Sequence, residues 1–257
     1  MKCRAAWATP IIDGGAARGT SSRPMLPAPR DPRLAPLFQR AACIFFDCDG
    51  IIYDSNGFKQ RAMRHALAGQ DELALTEMSE FWRKNGGMSR FAKLQHFFTQ
   101  IAPHPDVAGQ VATAARRFGE YSRAGYDECE PLPPALRAAA AAGAARCHVV
   151  SGAAQSELES VFAAHGIANH FASVLGSPTP KLELVSTVLA AQHCPPDRAL
   201  LIGDGAMDFR VAQTLGIHFV YLAQYSEWLG AQEQLAAAEP VSVAETWPDL
   251  LTGLGLS

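Results

Sequence analysis

The chain has 257 residues, of which 48% are apolar and 18% are charged, and its net charge is −3 when histidine is neutral. This composition is typical of a globular protein with a substantial core and excludes a disordered, collagen-like or disulfide-dense chain. The near-neutral charge provides no general field for binding nucleic acid, and no apolar run reaches the roughly 18 residues that span a bilayer.

The six cysteines are scattered along the chain and form no C-x-x-C pair. These spacings argue against a zinc-thiolate site and against a disulfide framework. We therefore expect reduced thiols, several of them in the core, and a cytoplasmic location.

The first 41 residues differ in character from the rest of the chain. They hold seven basic and two acidic side chains, so this segment carries +5 and residues 42–257 carry −8. Six prolines and a Gly/Ser-rich middle predict an irregular N-terminal extension over residues 1–41. It could be a dispensable tail or a segment that clasps a partner subunit.

Short apolar runs after this extension predict buried strands, and helical patterns separate the later ones. The predicted strands are 42–46, 147–150, 171–175, 199–202 and 218–222, and the helices between them are 157–165, 182–192 and 209–215. Strands that alternate with single helices predict βαβ units in a parallel sheet.

Between residues 58 and 123 the pattern changes to helices alone. The amphipathic stretches are 58–67, 72–84, 90–101 and 107–121. Ligands of doubly wound sheets bind beyond the carboxyl ends of the strands, where an insert after the first strand would act as a lid. We predict an α/β fold class: a Rossmann-like, doubly wound parallel sheet formed by residues 42–57 and 124–257, with an inserted helical cap at 58–123.

Acidic pairs directly follow the first and fourth predicted strands. Asp47 and Asp49 precede Gly50, and Asp204 and Asp208 lie in a Gly-rich turn. Two acids this close at the end of a buried strand repel each other unless a cation lies between them, and carboxylate oxygens select a hard ion such as Mg²⁺. Alone, either motif could be an ordinary Gly/Asp turn.

Groups suited to an anion follow the second and third predicted strands. Ser151 and Gly152 precede a helix, where a hydroxyl and free N–H groups can bind phosphate, although Ser151 could be only a helix N-cap. Lys181 begins another helix, where a cation is unfavourable unless a partner holds it, although it could be a solvated surface residue. In this order the four clusters supply a nucleophile, metal ligands, phosphate donors and a counter-cation, as phosphoryl transfer requires.

Together these clusters resemble the four motifs of the haloacid dehalogenase superfamily: Asp47-x-Asp49-Gly50, Ser151, Lys181 and Gly203-Asp204-x-x-x-Asp208. The helical insert resembles the C1 cap of that superfamily, and the likeness covers about residues 42–225. An acid at position 49 argues against the true dehalogenases, whose corresponding residue is not an acid, and favours phosphate-ester chemistry of the phosphoglycolate phosphatase or β-phosphoglucomutase type.

The resemblance implies a covalent route for the acids. Asp47 would attack phosphorus and form an aspartyl-phosphate, and Asp49 would protonate the leaving oxygen and then activate water. Mg²⁺ would bind Asp47, the backbone carbonyl of Asp49, and Asp204.

The same resemblance assigns the phosphate contacts. Ser151 and Lys181 would hold the phosphoryl oxygens, with Asp208 supporting Lys181 or orienting a water on the metal. We place Gly50 and Gly152 with the substrate-binding residues.

Substrate choice is expected to reside in the cap. Gly87-Met88-Ser89-Arg90 resembles the cap loop of the β-phosphoglucomutase and phosphoglycolate phosphatase types, where an arginine meets an anionic part of the substrate. Arg90 is the best candidate, followed by Asn85, Lys93 and Lys59, although Arg90 and Lys93 could belong to a solvated helix face.

We therefore predict a Mg²⁺-dependent phosphatase acting on a small phosphate monoester, for example a sugar phosphate. The alternative is a sugar phosphomutase of the same superfamily. A phosphorylatable signalling module is less favoured because receiver domains are about half this length and lack a cap, and a binding protein is less favoured because no motif residue is missing. The expected partner is a small phosphorylated metabolite, without nucleic acid or membrane, and the protein is expected to be a monomer or homodimer.

Overall fold

A six-stranded parallel sheet forms the centre of this computed structural model, which describes residues 31–236 and 238–256. The strands are β1 (Cys43–Phe46), β2 (Cys147–Ala154), β3 (Ser173–Ser177), β4 (Ala199–Gly203), β5 (His218–Leu222) and β6 (Val241–Ala244). Their order is β3-β2-β1-β4-β5-β6, and every neighbouring pair is parallel. The prediction of a doubly wound α/β sheet is confirmed, with the reversal of strand order between β1 and β4.

The five predicted strands are present, and two features differ from prediction. β2 continues to Ala154, four residues beyond the predicted end at 150, with an irregular register against β3. The sequence reading missed β6, a four-residue edge strand whose residues alternate between half-buried and buried. A run of four residues that is interrupted by Ser242 is too short to stand out as a strand.

The N-terminal extension is predicted to be irregular over residues 1–41, but a helix begins before residue 41. Residues 1–30 lie outside the described residues, but Leu34–Arg40 form helix α1. Pro36 lies in the first turn of α1, where a missing N–H removes no intrahelical hydrogen bond. The proline-rich pattern therefore failed to predict a short amphipathic helix. Its buried side chains are Leu34, Leu37 and Phe38.

The regular elements between β1 and the first core helix after the insert are all helices, as the sequence pattern predicts. They are α2 (Asn56–Ala66), α3 (Glu72–Lys84), α4 (Arg90–His96), a π-helical turn (Phe97–Ile101) and α5 (Val107–Asp127). These helices pack around a hydrophobic cluster of their own, in which Met78, Leu94, Phe97 and Phe118 are buried. The separate cluster supports our proposal that residues 58–123 form a cap on a core of residues 42–57 and 124–257.

The remaining helices cover the two faces of the sheet. They are α6 (Pro133–Ala142), α7 (Gln155–Ala164), α8 (Lys181–Ala191), α9 (Ala206–Leu215), α10 (Ala231–Leu235) and α11 (Trp247–Gly253). Alternate side chains of β1 point to opposite faces. Phe46 belongs to the hydrophobic cluster that includes residues of α1, α6, α7 and α11, and Phe45 belongs to the cluster that includes residues of α8, α9 and α10. Burial on both faces explains why β1 reads as a continuous apolar run. None of the described helices combines the length and hydropathy that a bilayer crossing requires.

Candidate active site

Three acidic side chains meet at the carboxyl edge of the sheet, where the strand order reverses. The backbone N–H of Asp47 donates to the carbonyl of Ile202 in β4 at 2.9 Å, which sets the end of β1 level with the end of β4. Asp204 follows β4, and Asp208 lies in the first turn of α9. One carboxylate oxygen from each of these three buried acids lies within 4.8 Å of the others.

Lys181 lies among these carboxylates at the start of α8. Its Nζ is 3.0 Å from Oδ1 of Asp47 and donates a hydrogen bond to Oδ1 of Asp208. Burial lowers the pKa of Lys181, but the charges of Asp208 and Asp47 outweigh burial and raise it above its ordinary value. The acidic partners explain why a cation is stable at a helix N-terminus, and they show that Lys181 is not a solvated surface residue.

The single positive charge of Lys181 does not balance the three carboxylates at this edge of the sheet. Burial, and then the charge of Asp208, raise the pKa of Asp47 to about 8. Burial and the charge of Asp47 also raise the pKa of Asp204 well above its ordinary value. Buried carboxylates that repel one another in this way form a donor set suited to a hard divalent cation such as Mg²⁺.

Gly50 allows the carboxylate of Asp204 to approach the turn after β1. Its φ is +80°, and a Cβ built at this position would lie 2.1 Å from Oδ2 of Asp204. The same oxygen accepts a hydrogen bond from Nδ2 of Asn56 at 2.7 Å. Sequence reasoning did not assign Asn56 to the site, although it begins α2 only six residues after Gly50.

Asp49 is held by donors of its own, two from the core and one from the cap. Its Oδ1 accepts hydrogen bonds from Ser55 Oγ at 2.5 Å and from Tyr126 OH at 2.6 Å, and its Oδ2 lies 2.9 Å from Nζ of Lys59. Burial would raise the pKa of Asp49, but the Lys59 charge and these hydrogen bonds lower it below its ordinary value. In this arrangement Asp49 is a carboxylate, ready to accept a proton.

The carboxyl-terminal half of β2 carries Ser151 and Gly152. Ser151 is buried, and its Oγ accepts a hydrogen bond from the backbone N–H of Ala153 at 3.0 Å. A Cβ at Gly152 would lie 2.6 Å from the carbonyl oxygen of Gly87, so only glycine fits between the core and the cap at this point.

The loop between α3 and α4 closes over the site. The carbonyl of Gly86 accepts a hydrogen bond from the backbone N–H of Met207 at 3.0 Å, and Gly87 lies next to Lys181 with a φ of +81°. Asn85 lies in the same loop, but its side-chain amide donates back to the carbonyl of Phe81 at 2.9 Å, and the structure does not bring it to the cavity.

The cap and the core enclose a cavity of about 60 Å³, which we call the reaction chamber. Asp47, Asp49, Gly152 and Asp204 line it from the core, and Lys59, Trp82, Arg90, Lys93 and Phe118 line it from the cap. Roughly four water-sized molecules fill such a volume.

The basic residues of the cap are buried rather than solvated. The exposed fractions of Arg90 and Lys93 are 6% and 2%, which excludes the reading as a solvated helix face. Glu157, a core residue on α7, lies 2.7 Å from Nη2 of Arg90 and 3.6 Å from Nζ of Lys59. Sequence reasoning missed Glu157, and it links the two cap cations to the core.

The comparisons with known proteins agree with this arrangement. A family model for haloacid dehalogenase-like hydrolases matches residues 41–216. Sequence comparison with curated proteins finds no match.

Three solved structures illustrate the fold. A hydrolase from Pseudomonas syringae has a TM-score of 0.66 at 20% identity, covering 83% of this chain and 98% of its own. A candidate phosphoglycolate phosphatase from Lactobacillus plantarum has a TM-score of 0.64 at 19% identity, covering 83% and 99%. A CbbY variant from Rhodobacter sphaeroides in complex with xylulose 1,5-bisphosphate has a TM-score of 0.61 at 20% identity, also covering 83% and 99%.

The family match includes every strand from β1 to β4, all four cap helices and the loops that carry the acids and the lysine. It spans more than half of the chain, and the observed fold agrees with it. The chain therefore belongs to the haloacid dehalogenase-like hydrolases.

Proposed function

We propose that this protein is a Mg²⁺-dependent phosphatase that hydrolyses a small phosphate monoester through an aspartyl-phosphate on Asp47. One observation carries the proposal: a nucleophile candidate, Asp47, is buried beside Lys181, and a second carboxylate that lines the same cavity, Asp49, is held by a separate set of donors. Phosphoryl transfer needs a nucleophile and a proton-transferring group in different environments, because one attacks phosphorus and the other moves a proton. The family membership and the relative bound to a sugar bisphosphate support a small phosphorylated metabolite as substrate.

The contacts of Asp47 leave one oxygen for attack. Oδ1 accepts a hydrogen bond from the backbone N–H of Cys48 at 2.7 Å and also contacts Lys181, whereas Oδ2 has no hydrogen-bond donor within the described residues. Oδ2 would form the new bond to phosphorus as the bond between phosphorus and the leaving oxygen breaks. The cation of Lys181 would offset charge on the phosphoryl oxygens.

Asp49 would transfer the proton in both steps. It is ionised in the substrate-free chamber, but a phosphate dianion beside it would raise its pKa and let it bind a proton. That proton would pass to the leaving oxygen as the ester bond breaks. Asp49 would then take a proton from the water that hydrolyses the aspartyl-phosphate.

The residues that would hold the metal are Asp47 and Asp204, with the backbone carbonyl of Asp49 from the sequence prediction. A bound Mg²⁺ supplies positive charge that polarises the phosphoryl group and neutralises the acidic cluster. Both oxygens of Asp208 are engaged, by Lys181 and by the backbone N–H of Gly205, which suits a supporting role.

The test is a panel of metabolite phosphates incubated with the purified protein and MgCl₂, with free phosphate as the readout. We expect release from small monoesters and none from the Asp47→Asn variant. Isomerised sugar phosphate without free phosphate would instead identify a phosphomutase. A stable phosphoprotein without turnover would identify a signalling module.

A further inference from the structure

Tyr126 lies at the end of the helix by which the chain returns from the cap to the core. It belongs to the last turn of α5, and only 1% of it is exposed. Its hydroxyl group donates a hydrogen bond of 2.6 Å to Oδ1 of Asp49. The centroid of its ring lies 4.9 Å from Nζ of Lys59. One side chain therefore contacts both the proposed proton-transfer group and the cation that is paired with it.

Asp49 is bound by both segments that connect the core with the cap. Ser55 lies just before the start of the proposed cap at residue 58, and Tyr126 lies just after its end at residue 123. Their hydroxyl groups both donate to Oδ1 of Asp49, at 2.5 and 2.6 Å. Two hydrogen bonds to one oxygen fix the rotation of the carboxylate, so Oδ2 is held in one place beside Nζ of Lys59.

The ring of Tyr126 is itself held by its neighbours. It makes edge-to-face contacts with Phe58 and Tyr53, with ring centroids 5.1 and 5.2 Å apart. Gly125 allows α5 to come this close to α2, because a Cβ at this position would lie 2.6 Å from Cδ2 of Phe58. Packing on two sides restricts the ring to one orientation, as a side chain that positions another requires.

The contacts of Tyr126 are separate from those that a substrate would make. The described residues that line the reaction chamber include Asp49 and Lys59 but not Tyr126. A substrate in the chamber would therefore meet the carboxylate and the ammonium group but not the phenol. Any effect of the phenol on the reaction has to pass through these two neighbours.

We infer that Tyr126 is a positioning residue for the proposed proton transfer, and that its phenol holds the Asp49 carboxylate in the rotation from which Oδ2 exchanges a proton with the leaving oxygen. The inference rests on the proposed function, which assigns this proton transfer to Asp49. Oδ1 already accepts two hydrogen bonds, whereas Oδ2 has Lys59 as its described partner. Without the phenol, Ser55 alone would hold Oδ1, and a carboxylate displaced by about 1 Å would transfer the proton more slowly.

Tyr126→Phe tests the inference because it removes the hydroxyl group and keeps the ring contacts. With the best monoester of the metabolite panel and MgCl₂, we expect kcat/KM to fall by roughly 10-fold, the worth of one hydrogen bond to a charged group. Acetyl phosphate is the comparison, because its leaving acetate needs no proton, and its kcat/KM should fall by less than about 2-fold. A merely structural role would slow both substrates equally.

Tyr53→Phe is the matched control. It removes a hydroxyl group from the adjacent buried tyrosine, whose hydrogen-bond partner is Nδ1 of His165 at 2.8 Å. It should leave kcat/KM for both substrates unchanged. The Tm of both variants, measured alongside, shows whether each keeps the fold.

A double variant shows whether the phenol acts through Asp49. In Asp49→Asn the amide keeps the shape of the side chain and still accepts a hydrogen bond, but it does not transfer the proton. Adding Tyr126→Phe to Asp49→Asn should change kcat/KM for the ester by less than about 2-fold, since two residues that act as one unit are not additive. These rates are measured at raised protein concentration.

Three results would overturn the inference alone. They are an unchanged rate for the ester in Tyr126→Phe, an equal loss for the ester and acetyl phosphate, and a further loss of roughly 10-fold when Tyr126→Phe is added to Asp49→Asn. No phosphate release from any monoester by the wild type would instead overturn the proposed function and this inference with it.

Discussion

The two walls of the reaction chamber are built in different ways. The core wall is acidic, and strand ends and helix starts position its groups: Asp47 follows β1, Asp204 follows β4, and Lys181 begins α8. The cap wall is basic and aromatic, and side chains position its groups, with Glu157 of the core holding Lys59 and Arg90.

This difference suits the core wall to the proposed reaction and the cap wall to recognition of the substrate. Backbone geometry tolerates little change, so the core wall suits chemistry that is common to many substrates. Side-chain pairs can be exchanged one at a time, so the cap wall suits the leaving group that differs between substrates. Substitutions in the core wall should therefore change mainly the reaction rate. Substitutions in the cap wall should change mainly protein stability and substrate selectivity.

The largest effect is expected for Asp47→Asn in the core wall. The amide keeps the shape of the side chain but is a poor nucleophile, so phosphate release should fall by roughly 10³-fold or more. Asp197→Asn, at an exposed position before β4, is the control and should retain the wild-type rate. Near-normal activity of Asp47→Asn would rule out the covalent route.

Removing divalent ions should affect the same wall. Chelation is expected to lower phosphate release by about 100-fold or more, because several kcal/mol of charge stabilisation are lost. Added Mg²⁺ should raise the Tm of the wild type more than that of Asp204→Asn, since a cation that binds only the folded state stabilises it. Equal Tm shifts in the two proteins would place the metal elsewhere.

In the cap wall, Glu157→Gln should act on stability. The change leaves Arg90 buried with a neutral partner and removes the second of two acids beside Lys59, so the free energy of unfolding in urea should fall by about 2 to 4 kcal/mol. Glu120→Gln is the matched control, because its ion pair with Arg116 is exposed and should be worth less than about 1 kcal/mol. Similar small losses in both variants would show that Glu157 does not secure the cap.

The smallest effect concerns Lys93 and pH. Burial lowers its pKa to about 7 in the folded protein, against 10.5 for an ordinary lysine. Between these pH values the unfolded chain binds a proton that the folded protein does not bind, so this residue makes the unfolding free energy rise with pH. The charged groups acting on it are Asp49, Glu227 and Asp204, which raise its pKa, and Lys59, which lowers it.

Lys93→Met should remove that slope. We expect the variant to exceed the wild type in stability at pH 7, and the difference to shrink by up to about 1.4 kcal/mol per pH unit toward pH 9. Denaturant unfolding at pH 7, 8 and 9 measures it, with Lys84→Met, a change at an exposed lysine of the cap, as the reference. A difference that is constant with pH would contradict the shifted pKa of Lys93.

The residues of the core wall could be predicted because each lies close in sequence to the strand or helix that positions it. Each motif directly follows an apolar run, and parallel strands bring their carboxyl ends to one edge, so Asp47, Lys181 and Asp204 are expected to meet. The fold class followed from the same alternation of strands and helices. Their catalytic roles stay predictions until the variants are measured.

The cap wall could not be predicted in the same way because its contacts are distant in sequence. Arg90 of the cap and Glu157 of the core are 67 residues apart. No local pattern distinguishes Glu157 from the neighbouring Glu159 on α7. Asn85 illustrates the converse, since an amide in a candidate loop folds back onto its own helix.

Helix α1 changes where the protein can be cut. Besides its buried side chains, Asp31 receives a hydrogen bond from Ser242 Oγ in β6 at 2.7 Å, and the carbonyl of Arg40 receives one from Arg198 at 3.1 Å. A truncation designed from the proline-rich pattern would start at residue 42 and strip a helix from one face of the sheet. A truncation starting at residue 31 keeps these contacts, so its free energy of unfolding in urea should exceed that of a truncation starting at residue 42.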